Sequence, residues 1–311
     1  MQYMPLLFNS MIMKTLIYSS LLAACLLVGC NIDDPHCKRP PGTETEDATV
    51  VISFASPDMT IPMESLCALD PEQEQALKDI NLYLFNKSTG TCVRHYIKGT
   101  SPISMELEKG DYDIYAIANY GSNIGEQTKN GIENFTVSIT SEHDLEKDDV
   151  LPMSCYESVT VHEDMNLALI LKRRVAKIDV TVNLSEEMSR ILTLQSLRMV
   201  NAPFRCRYFG KNVPTVELME YPRQDCKNGQ QLTFYVLENM QGVNNAITDP
   251  KLRGGNNAPA NGTYLHIEGY TANKLLDYYI YLGCNTTTDF NMTGNCNYSL
   301  EINIQGQSDL D

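Results

Sequence analysis

Apolar and polar residues alternate with a period of two in a series of short segments. Residues 48–54 (ATVVISF), 80–85, 103–107, 112–118 and 135–139 each place every second side chain on one apolar face, as Ile80, Leu82 and Leu84 do. Pro, Gly, Asn and Ser clusters separate them, so they read as β-strands rather than helices. A second series covers residues 165–171, 175–184, 194–200, 232–237, 263–269, 276–282 and 298–304, with a loop-like GGNNAPANG stretch at 254–262. One segment has helical character: residues 71–78, PEQEQALK, with Pro71 suited to a first turn. No self-similarity at 20 to 50 residues is visible, which excludes a solenoid or propeller. Many short strands with little helix predict an all-β chain of two β-sandwiches. The basic run Lys172-Arg173-Arg174 is read as the boundary, dividing a sandwich at 48–172 from one at 173–311.

Ahead of the strands the pattern changes. Residues 13–30, MKTLIYSSLLAACLLVGC, join one lysine to an apolar stretch that ends in small residues and a cysteine, the layout of a bacterial secretory signal. The stretch is short for a spanning helix and gives way at once to polar residues. Leu27-Val28-Gly29-Cys30 has the form of a lipobox, predicting a signal over 1–29 and a lipid on Cys30. Leu22-Ala23-Ala24-Cys25 fits the same form, but a cut there would leave Leu26, Leu27 and Val28 exposed beside the lipid. The Met13-Lys14 pair marks the expected true start. Residues 30–47, with the Pro-rich, charged KRPPGTETED, read as a lipidated tether. Asp33 and Asp34 after the lipid position resemble a surface-export signal. Together these predict a surface-exposed lipoprotein of the cell outer membrane.

Composition narrows the partners. The 311 residues carry 24 Lys and Arg against 39 Asp and Glu, a net charge of −15, which repels phosphate and argues against nucleic acid. The length suits two domains that each bury a core. Seventeen Tyr, eight Phe and no Trp suit half-buried strands.

Catalytic motifs are missing from the sequence. The histidines at 36, 95, 143, 162 and 266 form no HExxH and no zinc spacing, and there is no G-x-S-x-G, P-loop or G-x-G-x-x-G. DLEKDD at 144–149 lacks the glycine and ligand spacing of an EF-hand. No cofactor, metal or enzymatic activity is expected. At Gly110-Asp111-Tyr112, either the tyrosine returns its hydroxyl to nearby backbone as a tyrosine corner, or it stands exposed on an ordinary hairpin.

Several segments together resemble the fimbrillin superfamily of Bacteroidetes, whose members are fimbrial subunit lipoproteins. In the first half these are DINLYLFN at 79–86 and GDYDIYAIAN at 110–119, the latter similar to a Y-x-x-x-A-x-A-N strand. In the second they are LKRRVAKI at 171–178, Asn201-Ala202-Pro203, YVLENMQG at 235–242, TYLHIEG at 263–269 and the closing NYSLEINI at 297–304. The resemblance implies two tandem transthyretin-like Greek-key β-sandwich domains. It also implies a structural, adhesive subunit that joins other fimbrial subunits by strand exchange, sits at the outer membrane through the lipid on Cys30, and meets host or bacterial surface receptors. In the family, stalk subunits lose their first strand to an arginine-directed protease. Here no arginine lies between Arg39 and Arg94, and Lys78 is the only basic residue between the first two predicted strands. That favours an anchor or accessory subunit which keeps its first strand. A surface glycan-binding lipoprotein is the alternative, and it would carry aromatic residues on one exposed face.

With Cys25 in the signal and Cys30 lipidated, eight cysteines remain. Cys206 with Cys226, and Cys284 with Cys296, are the pairings suggested by closeness in sequence; a Cys67–Cys92 bridge would oppose release of the first strand.

Overall fold

A computed structural model describes residues 47–56, 74–211 and 214–306. The signal, Cys30, most of the tether, Cys37 and Cys67 lie outside them. In the first half the strands are β1 (Asp47–Ala55), β2 (Asp79–Asn86), β3 (Cys92–Lys98), β4 (Ile103–Glu108), β5 (Gly110–Ala118), β6 (Thr136–Ser138), β7 (Met153–Val161), β8 (Met165–Ile170) and β9 (Lys172–Arg173). The second half begins with β10 (Val175–Leu184), β11 (Thr193–Val200), β12 (Ala202–Pro203), β13 (Arg205–Arg207), β14 (Leu218–Met219) and β15 (Gln224–Asp225). It continues with β16 (Gln231–Leu237), β17 (Asn239–Val243), β18 (Tyr264–Tyr270), β19 (Leu275–Tyr281), β20 (Asp289–Met292) and β21 (Asn297–Ile304). Helix is confined to short pieces, chiefly α1 (Lys129–Glu133), α2 (Glu186–Ile191) and a 3-10 helix at Glu142–Asp149. Of the segment expected to be helical, only Glu74 and Gln75 are helical among the described residues.

The two halves repeat one topology. In the first, sheet β4-β1-β8 faces β3-β2-β5-β7-β9; in the second, β16-β10-β21 faces β15-β11-β18-β19. Each opening strand, β1 or β10, is the middle of a three-stranded sheet. It pairs antiparallel with β4 or β16 on one side and parallel with the closing strand, β8 or β21, on the other. The sequence carries no visible trace of this duplication, because topology constrains which positions are apolar and leaves the residues themselves free.

Each sandwich buries its own core. Val50, Ile52, Ile80, Leu82, Leu84, Ile114 and Leu169 meet in the first. Ile178, Val180, Leu197, Phe234, Leu265, Ile280 and Leu300 meet in the second. Each such side chain contributes roughly 1.5–3 kcal/mol by leaving water. The outer faces are covered unevenly. All eight residues of β2 are buried, since Tyr83 and Phe85 on its outer side pack with Tyr115, Ile132 and, from the second half, Tyr208 and Phe209. The outer side of β10 and β16 is likewise covered: Val175, Tyr235 and Leu237 pack with Ile139, Leu145 and Leu151 of the first half. Strand β6 pairs with β13, and Ser154 donates to the Tyr208 carbonyl at 2.5 Å, tying the halves further. The basic run falls at the join, with β9 paired to β7 and β10 starting two residues after it.

Candidate functional site

The arrangement that bears on assembly is the seat of β1. Ala48, Val50 and Ile52 are at most 1% exposed, while Thr49, Val51 and Ser53 on the opposite side are partly open. Asp47 to Ile52 pair with β4, and Val50 to Ala55 pair with β8. The Thr49 amide donates to Asp164 Oδ1 at 2.8 Å, and the Leu171 amide donates to the Ala55 carbonyl at 2.8 Å. A sandwich without this strand would present two unpaired strand edges along an apolar groove, the form that accepts another strand. Its counterpart β10 is covered on both faces and follows β9 directly, whereas β1 is partly open on one face.

Between β1 and β2, Glu74 lies in a buried polar junction. Glu74 is 1% exposed; its Oε1 accepts from Lys177 Nζ at 2.7 Å and from the Tyr235 hydroxyl at 2.7 Å. Its carbonyl accepts from Arg173 Nε at 2.8 Å, and Arg173 NH1 reaches Asn295 Oδ1 at 3.0 Å. Arg174 pairs with Glu238 at 2.8 Å. Arg173 and Lys177 of LKRRVAKI and Tyr235 of YVLENMQG thus converge on Glu74 of the opposite half, while Arg174 pairs with Glu238. Glu74 went unnoticed in the sequence, where it reads as an ordinary helix former. The available signal was elsewhere: Val175, Tyr235 and Leu237 occupy outward positions yet are apolar or aromatic, which marks a second covered face.

Asn119, the last residue of the Y-x-x-x-A-x-A-N pattern, fixes the same segment. It holds φ of 62°, a left-handed conformation that asparagine tolerates better than most residues. From there its side chain accepts from the Lys78 amide at 2.9 Å and donates to the Ala76 and Leu151 carbonyls at 2.9 and 2.7 Å. Lys78 is held further, since its carbonyl accepts from the Gly99 amide at 2.8 Å and its Nζ donates to the Asp148 carbonyl. The other residues of the pattern have equally plain roles. Ala116 and Ala118 are wholly buried, and Tyr112 returns its hydroxyl to the Glu108 carbonyl at 2.9 Å, which settles that turn as a tyrosine corner. Beside Lys78 and Asp79, a cleft of about 990 Å³ opens between the ends of β2 and β3, β6 and the 3-10 helix.

The predicted cysteine sites separate into two situations. Cys206 packs with Leu145, Val175 and Tyr235 at the junction, while Cys226 lies in the core of the second sandwich. Burial pushes these thiols up to about 12 and about 11. Cys284 and Cys296 are exposed and flank the same tyrosine: Cys284 Sγ lies 3.8 Å from the Tyr298 hydroxyl, and both sulfurs act electrostatically on it.

Comparison with known proteins agrees with this architecture. Residues 234–302 match a family described as a domain of unknown function, DUF4906. A curated relative, the minor fimbrium tip subunit MfA4 of Porphyromonas gingivalis, is 24% identical over 236 residues, an alignment covering 66% of each protein. The chain therefore spans just under two thirds of that relative's length. The tip fimbrial protein Mfa3 of the same organism superposes with a TM-score of 0.59 at 16% identity, covering 83% of this chain and 95% of that one. A putative cell adhesion protein of Bacteroides eggerthii gives 0.58 at 13%, covering 85% and 88%. The fimbrilin FimA of Porphyromonas gingivalis gives 0.57 at 14%, covering 83% and 90%. The chain has the fold of the fimbrillin superfamily, as its motifs implied.

Proposed function

We propose that this chain is a structural and adhesive subunit of a surface fimbria, with no catalytic role. It is held at the outer membrane by a lipid on Cys30 and joins other fimbrial subunits by exchange of a β-strand at the seat of β1. The observation that carries the reading is the placement of β1: central in its sheet, buried on one face, partly open on the other, and followed by a connection rather than a second sandwich. Loss of Val50 and Ile52 from the core would uncover about 1.5–3 kcal/mol of burial apiece, a driving force for capturing a replacement. The closing strand β21 is engaged in its own sheet beside β10, so it is not a spare donor.

The position within the fibre follows from the segment just before β2. Lys78, the only basic residue in the connection, has its amide, carbonyl and side chain all bonded, which opposes the extended fit a protease needs. The subunit accordingly keeps β1 covalently attached, so that exchange at its seat proceeds by displacement of β1 rather than by its proteolytic removal, and it serves as an anchor or accessory subunit.

The test uses protein lacking residues 1–56 and a labelled peptide copying β1. Saturable capture of the peptide, with recovery of the full-length thermal transition, is the expected result. A truncated protein that stays monomeric and fully folded without binding the peptide would refute strand exchange. Immunogold electron microscopy of surface filaments places the subunit along the fibre.

A further inference from the structure

The outer face of the sheet β15-β11-β18-β19 carries side chains that neither the core nor the junction uses. Strand register lines them up in cross-strand rows. Tyr264 lies opposite Tyr281, His266 lies between Arg198 and Tyr279, and Glu268 lies between Ser196 and Asp277. The rings form a half-exposed ladder. Tyr264 is 5.1 Å from Tyr281 and 5.8 Å from Tyr279, tilted by 45° and 58°, while His266 stacks on Tyr279 at 4.8 Å and 9°.

The polar groups beside the ladder are fixed in place. Arg223 grips Glu268 with two bonds of 2.6 and 2.7 Å, and Ser196 adds a third contact to that carboxylate. Arg198 is held by Glu220 at 2.6 Å and reaches His266 Nδ1 at 3.3 Å. With Nδ1 accepting, the imidazole is neutral and donates from Nε2 to Asp277 at 2.7 Å.

We infer that this face binds a short neutral oligosaccharide, its sugar rings stacked on Tyr264, Tyr279 and Tyr281 and its hydroxyls bonded to Asp277, Glu268 and Arg198. The tyrosine faces match the C–H face of a pyranose, and their tilt suits a bent chain rather than one flat ring. Each carboxylate retains lone pairs beyond those already used, and each guanidinium has five N–H donors. Hydroxyls, which donate and accept together, can use both.

Charge decides against other occupants. Arg198 and Arg223 are already paired with Glu220 and Glu268, and Asp277 is bonded to the imidazole, so an anionic ligand would have to break existing bonds and face an unneutralised carboxylate. A divalent cation finds ligand atoms of His266, Glu268 and Asp277 within 4.8 Å of one another. It would also meet the Arg223 fork on Glu268 and Arg198 on the imidazole, two adjacent positive charges that oppose it. This inference does not depend on strand exchange, because the face belongs to the other sandwich.

Since the chain has no tryptophan, intrinsic tyrosine fluorescence can follow binding to the intact protein. The probes are soluble short β-1,4- and α-1,4-glucans, mannan and galactan fragments, with zinc chloride titrated separately. At least one oligosaccharide should bind saturably, and Y279A and D277N should each weaken it by about tenfold, the loss of one stacking or hydrogen-bonding partner. Thermal unfolding of both variants should match that of the unaltered protein, and D277N, which preserves side-chain shape, serves where Y279A perturbs folding. Absence of saturable binding across the panel, or binding unaffected by D277N, would overturn the proposal. Zinc binding abolished by H266A would overturn it in favour of a metal site.

Discussion

Lys177 Nζ stands 2.7 Å from Glu74 Oε1, and neither side chain is more than 2% exposed. The pair joins the start of the second sandwich to the segment just before β2. Two charges in such a place are expensive to hold apart from each other, because each loses its hydration on burial. K177A should therefore cost about 3–5 kcal/mol in denaturant unfolding, since it strands Glu74 without its countercharge. Replacing both residues with methionine should cost much less than either single change. A K177A penalty near zero would mean that water reaches the junction.

Asn119 is expected to control access to Lys78. N119A removes three hydrogen bonds worth about 1 kcal/mol each and leaves at φ 62° an alanine, which tolerates the left-handed conformation less well than asparagine does. Limited digestion with a lysine-specific protease, read by mass spectrometry, should show slow cleavage at Lys78 in the unaltered protein and faster cleavage in N119A. N119G, which tolerates the backbone angle, separates the two contributions. Equal rates in all three would remove the argument that this subunit keeps its first strand.

The strands that alternated cleanly, such as 48–54, 175–184 and 298–304, were legible because one face of each meets a core. Of the strands that were not, β7 and β3 are the longest. In β7, MSCYESVTV, only one end is covered by β9, and along the remaining edge the exposed Glu157 interrupts the core-facing row of Met153, Cys155, Val159 and Val161, so the alternation is broken. In β3, CVRHYIK, edge position gives the same result. The site was legible in part. The motif residues Arg173 and Lys177 were visible as members of a pattern, but their partner Glu74 lies about a hundred residues away, and no local signal connects them. The histidine row shows the same limit: His266 and Asp277 are far apart as motif spacing goes and become neighbours only through the β18–β19 register.

Asp79 gives a prediction in pH. Burial, with the nearby Asp148 adding to it, holds this carboxyl above the usual aspartate range, although the Gly121 and Tyr120 amides partly offset the shift. A folded-state value above the unfolded one means that the charged carboxylate costs stability at neutral pH. That cost fades as the pH falls through the folded value, because the folded protein takes up the proton first. D79N keeps an oxygen for the Gly121 amide and removes the charge. Its melting temperature should equal or exceed that of the unaltered protein at pH 7, and the difference should shrink on acidification toward the ordinary carboxylate range. A D79N melting temperature that falls at pH 7 would show the charge to be stabilising.

Cys284 and Cys296 offer the last prediction. The first follows β19 and the second precedes β21, and both stand by the Tyr298 hydroxyl, which itself anchors the intervening turn by accepting from the Thr293 amide at 2.9 Å. A bond between them would close a short loop, and a loop of that size gives about 3 kcal/mol in the chain-entropy account. Incubation with oxidised glutathione should convert the two thiols to one disulfide, with reduction of the glutathione disulfide and loss of two hydrogens from the protein. Peptide mapping should then show Cys284 linked to Cys296, while Cys206 and Cys226, which are buried where the exposed pair is not, stay unmodified. A C284S variant should lose the gain in melting temperature on oxidation. Persistence of that gain in C284S would assign the stabilisation to another pair.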